Sequence, residues 1–89
     1  MNRVFLAGTL NKQPEIHYTP KGEKIVTFLL LVGEGDLRID IVHIGDLDGD
    51  GLGRQVGKEI MVSGMLTQMK QQSQHTIKVR AHKIFWMED

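Results

Sequence analysis

Hydrophobic and polar residues alternate with a period of two along most of the chain, which is the pattern of β-strands. The alternation predicts strands over residues 3–10, 37–44, 60–68 and 76–86. Residues 24–32 predict a further strand, and there apolar residues occupy both sets of alternating positions. A strand that is apolar on both sides is buried on both, so we expect a neighbouring element or subunit to cover each of its faces.

Proline and glycine mark the connections between these strands. Pro14 and the Thr-Pro-Lys-Gly sequence at 19–22 predict a break and a tight turn, and residues 33–36 have the length of a hairpin connection. Residues 45–57 contain five of the ten glycines. A long helix is not expected there, because each interior glycine costs about 1 kcal/mol relative to alanine. The polar residues 68–74 predict a long flexible hairpin tip.

Five strands in a chain of 89 residues leave edges that must be protected from other chains, and closing the sheet into a barrel protects them. We therefore predict an all-β protein, a five-stranded Greek-key barrel of the OB type with little or no helix. A chain of this length holds one hydrophobic core, so residues 1–89 are expected to form a single domain.

Composition removes several classes of function. The chain has no cysteine, which excludes disulfide scaffolds, cysteine-ligated zinc and thiol nucleophiles. Its two serines, Ser63 and Ser73, have no recognisable histidine and acid partners, so we predict no enzyme activity and no cofactor. No apolar run approaches the roughly 20 residues of a membrane helix, and the first ten residues do not form a secretory signal. We expect a cytoplasmic protein without membrane contact.

The net charge of zero conceals an uneven distribution. Residues 1–33 carry four basic and two acidic side chains, whereas residues 34–59 carry three basic and seven acidic ones. Residues 60–87 carry four basic side chains and no acid, and two acids end the chain. Such segregation favours a surface that attracts an anionic partner, although ordinary solvated faces give the same pattern.

The motifs of the first third of the chain resemble those of one protein family. They are Asn2-Arg3-Val4, Gly8, Leu10, Pro14-Glu15, Tyr18-Thr19-Pro20, Gly22 and Phe28, followed at similar spacing by Gly45, the stretch 57–64 and Ala81. The sequence resembles bacterial single-stranded DNA-binding proteins (SSB), and its short length is similar to that of primosomal replication protein N. The resemblance implies an OB fold, non-sequence-specific binding of single-stranded DNA in replication, primosome assembly or repair, and dimers or tetramers built through the first strand.

The sequence departs from that family in ways that change the expected binding. It stops without the family's acidic tail, the connection 33–36 is short, and the glycine-rich stretch 45–57 replaces the usual helix. Alternate third-strand positions that are aromatic, basic and aromatic in the family hold Arg38, Asp40 and Ile44. Stacking on an aromatic side chain contributes about 1–3 kcal/mol per base. We therefore expect mainly electrostatic binding, of micromolar affinity or weaker at physiological salt.

The candidate nucleic-acid-binding residues are mostly basic side chains that would line a groove along the barrel. They are Arg3, Lys12, Tyr18, Lys21, Lys24, Lys70, His75, Lys78 and Arg80. Tyr18 and Trp86 are the remaining stacking candidates, with core packing as the alternative for Tyr18 and packing on a partner subunit for Trp86. For any single lysine, a solubilising role at the surface is the competing interpretation.

Apolar residues that one barrel cannot cover predict self-association. Phe5 is expected to face outward from the first strand, and Ile25, Leu29 and Leu31 form the second apolar face of residues 24–32. We predict a homodimer through these residues, with further pairing to a tetramer as an option. The alternative function is a structural or assembly module that binds a protein, such as a replication or primosome component, rather than DNA.

The acidic sequence at 46–51 matches the first half of a calcium loop through Asp46, Asp48 and Asp50. Gly57 stands where the loop needs a bidentate glutamate, so a solvated acidic loop is favoured and no metal is predicted. Two strand residues have structural interpretations. Phe28 is expected in the core, and His43 is expected as a hydrogen-bonded histidine on the inward face of its strand.

Overall fold

Six strands and one short helix form the part of the chain that the structure describes. This computed structural model describes residues 1–34, 37–47, 49–71 and 74–86, and at 49, 50, 70, 71, 74 and 75 it describes the backbone alone. The elements in chain order are β1 (Val4–Leu10), β2 (Glu15–Tyr18), β3 (Lys24–Val32), β4 (Leu37–Ile44), α1 (Gly49–Gly53), β5 (Glu59–Gln71) and β6 (Gln74–Phe85).

The strands form one sheet that closes on itself. Their order is β1-β5-β6-β4-β3-β2, and a further pairing of β1 with β3 completes a ring of five strands. All neighbours are antiparallel except β4 and β6, which are parallel. The closure is uneven, because β1 and β3 pair at three positions and β4 and β6 at two, whereas β3 and β4 pair at eight. The all-β barrel predicted from the alternating pattern is confirmed.

Two short elements were not predicted from the sequence. The strand β2 has only four residues, all exposed, between Pro14 and the turn at Thr19, so its alternation is too short to mark a strand. The helix α1 is a single turn within the glycine-rich stretch, which agrees with the expectation that no long helix forms there. One residue of that turn, Leu52, is fully buried in the core of the barrel. The glycine-rich stretch therefore contributes an apolar side chain to the core, which its composition does not indicate.

The core is formed by the inward faces of the barrel strands together with α1. Its buried members are Leu10, Val26, Phe28, Leu30, Ile41, Leu52, Ile60, Val62, Val79 and Ala81. Phe28 is among them, as predicted. His43 is half-buried, and its Nδ1 lies 3.0 Å from the carbonyl oxygen of Ala81 on β6. Because a carbonyl oxygen only accepts, Nδ1 carries the proton in this contact, and the predicted hydrogen-bonded histidine is confirmed.

The turn between β2 and β3 follows directly from its residues. Gly22 adopts a φ of 85°, a left-handed conformation that favours glycine, and its amide donates to the carbonyl oxygen of Thr19 at 2.8 Å. The Thr19 hydroxyl accepts a hydrogen bond from the amide of Glu23 at 3.0 Å. These contacts hold Lys21 at the exposed tip of the hairpin.

The hairpin of β5 and β6 is longer than the sequence indicated. Its strands run to Gln71 and resume at Gln74, so most of the predicted flexible tip is paired strand, and residues 72 and 73 lie outside the described residues. Residues 65–71 pair with β6 alone, because β1 pairs with β5 only up to position 64. Alternation from the buried Val62 and Val79 would place Leu66 and Ile77 on the inward face, yet they are 48% and 68% exposed, because β1 does not pair with β5 at this end of the hairpin.

A β-bulge in β6 reverses which residues point inward. Ser63 pairs with Lys83 and Gly64 pairs with Ala81, so His82 is an extra residue without a cross-strand partner. After the bulge, Ile84 packs against the core, whereas simple alternation from Val79 and Ala81 would place it outside. Trp86 also packs against the core of its own chain. That position differs from both sequence-based interpretations, which were stacking on a base and packing on a partner subunit.

The closure of β1 on β3 predicts a stability effect at Gly8. Gly8 is buried and pairs with Val32, and a Cβ atom added there would overlap the carbonyl oxygen of Leu31. We expect Gly8→Ala to lower the free energy of unfolding by about 1–3 kcal/mol, a typical cost of overpacking, and to lower the Tm measured by circular dichroism accordingly. The control Ala7→Ser adds one heavy atom at the exposed neighbouring position. An unchanged Tm for Gly8→Ala would contradict this account of the closure.

Candidate nucleic-acid interface

A cleft of about 460 Å³ lies on the outer face of β2, β3, β4 and β6. The register brings its members together, because Glu15 pairs with Thr27 and Leu29 pairs with Asp40. The parallel pairing of β4 with β6 adds Lys78 beside Asp40. The side chains that define this outer cleft are Lys12, Glu15, His17, Leu29, Asp40 and Lys78.

The charges of the outer cleft are balanced rather than basic. Lys12 and Lys78 face the carboxylates of Glu15 and Asp40 across the same cleft. The Glu15 Oε2 lies 3.4 Å from His17 Nε2, and both side chains are exposed. A polyanion would therefore meet both attraction and repulsion here, so the cleft alone does not account for binding of a phosphate backbone.

The outward face of β6 is basic along its length. Lys78 and Arg80 alternate with the buried Val79 and Ala81, and the bulge at His82 brings Lys83 to the same outward face. Their cross-strand partners on β5 are all uncharged: Thr67, Met65 and Ser63. We call Lys78, Arg80 and Lys83 the basic stripe. It borders the outer cleft at Lys78, so the two features form one continuous surface.

The structure separates the predicted nucleic-acid-binding residues into groups. Lys12 and Lys78 share the outer cleft, and Arg80 continues the basic stripe. Arg3 lies outside the outer cleft, in a depression on β1, β5 and β6 that Lys83 of the basic stripe also lines. Lys24 is half-buried, and its Nζ donates to the carbonyl oxygen of Leu47 at 3.0 Å. A single groove lined by all the predicted cations is therefore not what the fold forms.

The four remaining predicted binding residues, Tyr18, Lys21, Lys70 and His75, do not line the outer cleft as the structure describes it. Tyr18 is 68% exposed, so it is not packed in the core, and it alternates with His17 and so faces away from the outer cleft. Lys21 is exposed at the hairpin tip. The side chains of Lys70 and His75 lie outside the described residues.

The three positions at which the sequence departs from the family pattern, 38, 40 and 44, share one face of β4, as alternation predicts. Arg38 and Asp40 are exposed there, and Ile44 is half-buried and pairs with Ile25. Val42 occupies the same face but is 2% exposed, in line with its two cross-strand neighbours Thr27 and Arg80. This face of β4 therefore has exposed charged residues at Arg38 and Asp40 and buried or half-buried apolar residues at Val42 and Ile44.

Beyond Lys83, the same outward face of β5 and β6 continues into exposed apolar side chains. Phe5, Met61 and Phe85 are 69%, 50% and 51% exposed on adjacent strands β1, β5 and β6. We call these three residues the apolar patch. Phe5 was predicted to face outward, whereas Met61 and Phe85 were not identified from the sequence. For Phe85 the reason is the bulge at His82, which reverses the alternation on which a prediction would depend.

The residues predicted to form a subunit interface fall on two different faces. Ile25, Leu29 and Leu31 are half-buried on the outward side of β3, and Leu29 lines the outer cleft. Phe5 belongs to the apolar patch, beyond the edge where β1 pairs with β3. A flat two-fold interface through all four residues would also cover the outer cleft.

Of the three aspartates of the acidic sequence at 46–51, the structure describes the side chain of one. Asp46 is exposed, whereas Asp48 and the side chain of Asp50 lie outside the described residues. Among the side chains that the structure describes, no three metal-ligating groups come together.

Within the described chain, no helix is both long and apolar enough to cross a membrane.

Comparison of the sequence with known proteins shows which family the chain resembles. A sequence model described as the single-strand binding protein family matches residues 1–40. Single-stranded DNA-binding protein 3 of Listeria innocua is 44% identical over 49 residues, which cover 48% of this chain and 31% of that protein. The predicted resemblance to bacterial single-stranded DNA-binding proteins is therefore confirmed, and the match extends over about a third of the relative's own length.

Solved structures of single-stranded DNA-binding proteins share the fold. The protein from Thermus aquaticus has a TM-score of 0.82 at 24% identity, and the match covers 100% of this chain and 41% of that one. The SSB domain of a Synechococcus protein has a TM-score of 0.76 at 16% identity and covers 94% of this chain and 93% of that one. At these identities the likeness concerns the fold, and the predicted OB type is confirmed.

The basic stripe predicts which cations a polyanion would contact. We expect the double variant Lys78→Ala/Arg80→Ala to weaken binding of a single-stranded oligonucleotide for every sequence alike. Each neutralised phosphate releases counterions, so the slope of log K against log salt should fall by about one to two units. Fluorescence anisotropy at several salt concentrations measures both quantities.

The matched control is Arg54→Ala/Lys58→Ala, which removes the same net charge outside the stripe. Equal weakening by both double variants would assign the effect to net charge and would contradict a localised contact. Thermal melting of each variant checks that the fold is retained.

Proposed function

We propose that this protein binds single-stranded DNA without requiring a defined sequence and without a catalytic step. The observation that carries the proposal is the basic stripe of Lys78, Arg80 and Lys83 on the outside of a barrel. No acidic residue occurs from position 60 to position 86, so phosphates meet no carboxylate of β6, and on β5 only Glu59, at the first position of the strand, is acidic. The fold shared with single-stranded DNA-binding proteins supports the same conclusion.

The proposed path of the strand follows from the arrangement of charge. Phosphates contact the basic stripe along β6, and the bases turn toward the outer cleft, which is concave and borders the stripe at Lys78. The opposite arrangement, with phosphates in the cleft, would place them against the carboxylates of Glu15 and Asp40. Leu29 on the floor of the cleft offers an apolar contact to a base.

This surface has little to offer for base stacking. The described aromatic side chains lie in the core, in the apolar patch or, as with Tyr18, on the face turned away from the cleft, and Phe28, which borders the cleft, is only 6% exposed. Affinity must then come mainly from the phosphate contacts, which release counterions and weaken as salt rises. In this role the protein would act in the cytoplasm, with replication or primosome proteins as its partners.

A titration with a fluorescent thymidine oligomer tests the proposal. We expect a Kd in the micromolar range or weaker at physiological salt, and tighter binding at low salt. Three stripe cations that each neutralise one phosphate give a slope of log K against log salt of about −2. Sub-nanomolar binding that does not respond to salt would overturn the electrostatic mechanism, and the absence of binding at low salt would overturn the proposed function.

We further propose that the protein associates through the apolar patch into a homodimer, with a tetramer as the larger alternative. Phe5, Met61 and Phe85 project from adjacent strands, and large exposed side chains grouped in this way commonly mark an interaction surface. In contrast, Ile25, Leu29 and Leu31 are already half-buried by their neighbours. An interface on the patch leaves the outer cleft and Lys78 open, so assembly is compatible with strand binding there, whereas Lys83 lines the same depression as Phe5 and Phe85 and would lie at the edge of that interface.

Sedimentation of patch variants tests the assembly. We expect the parent to sediment as two or more chains at micromolar concentration and Phe5→Glu to sediment as one, because a carboxylate in an apolar interface is strongly disfavoured. The control Leu37→Glu places the same charge at an exposed leucine outside the patch. A parent that sediments as a single chain would contradict the proposal.

The second candidate function is an assembly module that binds another protein through the apolar patch. The observation that favours it is Asp40, a carboxylate on the face where a nucleic-acid binder would gain from a basic residue. The two candidates differ in the oligonucleotide titration, since an assembly module would not show salt-dependent binding of thymidine oligomers.

A further inference from the structure

One carboxylate on the proposed DNA-binding surface has no partner within the protein. Asp40 is exposed on β4 in the outer cleft, and its carboxylate makes no hydrogen bond or ion pair with any other residue that the structure describes. The other carboxylate of the cleft, Glu15, has His17 Nε2 at 3.4 Å. Asp40 is therefore the acidic group of the cleft whose carboxylate has no partner among the described residues.

Building on the proposed function, we infer that Asp40 recognises guanine, so that the surface favours strands in which a guanine can enter the outer cleft. An ionised carboxylate has two oxygens that accept hydrogen bonds and no donor. On a surface that binds DNA it repels phosphate, so the group that approaches it must present donors. Those donors are on the edges of the bases.

The four bases differ in the donors that they present side by side. Guanine carries N1–H and the 2-amino group next to each other on its Watson–Crick edge, which matches the two oxygens of one carboxylate. Adenine and cytosine each present one amino group beside an acceptor nitrogen, and thymine presents one N–H between two carbonyl oxygens. Acceptors beside a carboxylate repel it, so guanine is the base that fits best.

The surroundings of Asp40 suit a base in this orientation. Leu29 is its direct cross-strand partner on the same face, so a base whose edge reaches the carboxylate can lie over an apolar side chain. Lys78 lies beside Asp40 on β6, and Lys12 lies in the same cleft, where each can meet a phosphate next to the bound nucleotide. The two oxygens of Asp40 thus share the cleft with two cations, of which Lys78 belongs to the basic stripe.

Competition between oligomers tests the inference. The probes are a thymidine oligomer and the same oligomer with one central guanine, adenine, cytosine or hypoxanthine. We expect the guanine oligomer to bind about tenfold more tightly than the thymidine oligomer, the usual worth of one bidentate base contact. Hypoxanthine lacks the 2-amino group but keeps N1–H, so most of this preference should be lost with it.

Two variants assign the preference to its residue. Asp40→Ala should bind the guanine and thymidine oligomers equally, and its affinity for thymidine should stay the same or rise, because a repulsive charge is removed. Glu59→Ala removes the same charge from an exposed position on β5 outside the cleft and should keep the preference for guanine. Asp40 is exposed, so both variants are expected to melt at the temperature of the parent.

The outcomes separate this inference from the proposed function. Binding of every oligomer with equal affinity by the parent would overturn the role of Asp40 and leave strand binding established. A guanine preference that survives in Asp40→Ala, or a preference for another base, would overturn it as well. Absence of binding to any oligomer at low salt would overturn the proposed function and the inference together.

Discussion

The close approach of β1 to β3 at Gly8 is the constraint on which the rest of the structure depends. Strand β1 pairs with β5 along most of its length and turns to β3 only at its last three residues. No side chain fits at Gly8, because the carbonyl oxygen of Leu31 occupies the space that a Cβ would need. The next residue of the same inward face, Leu10, is fully buried and holds the segment after α1 through two backbone hydrogen bonds, to Lys58 and from Gly57. Closure of the ring and covering of its core are thus achieved at one end of β1.

Closure also decides where charge can act. Once the inward faces are buried, every charged side chain of the strands must lie on the outside, and the pairing order places β6 between β4 and β5. The cations of β6 then have neutral neighbours on the β5 side and a single carboxylate, Asp40, on the β4 side. A chain of zero net charge therefore carries a row of three cations along one strand, with neutral partners on β5. The proposed binding of phosphates depends on this local field rather than on net charge.

The sequence predicts the fold better than it predicts the surface. Alternation locates the five barrel strands, and the turn at Thr19–Gly22 follows from its residues, because both signals are local. The strand β2 escapes prediction since its four residues are all exposed and pair with β3 alone. The composition of the outer cleft escapes as well, because Glu15, Asp40 and Lys78 come from three strands that only the register brings together. Pairing register is a property of the whole sheet, and no window of sequence contains it.

The bulge at His82 shows how one residue can determine two surfaces. Without it, the alternation that buries Val79 and Ala81 would point Lys83 and Phe85 into the core and turn Ile84 outward. The extra residue places Ile84 on the core, adds Lys83 to the basic stripe and exposes Phe85 in the apolar patch. Opposite the bulge stands Gly64, where the carbonyl oxygen of Arg80 approaches too closely for any Cβ. The charge that attracts a strand and the apolar surface that favours assembly therefore have a common origin in the local geometry of β5 and β6, and a change that removed the bulge would alter both together.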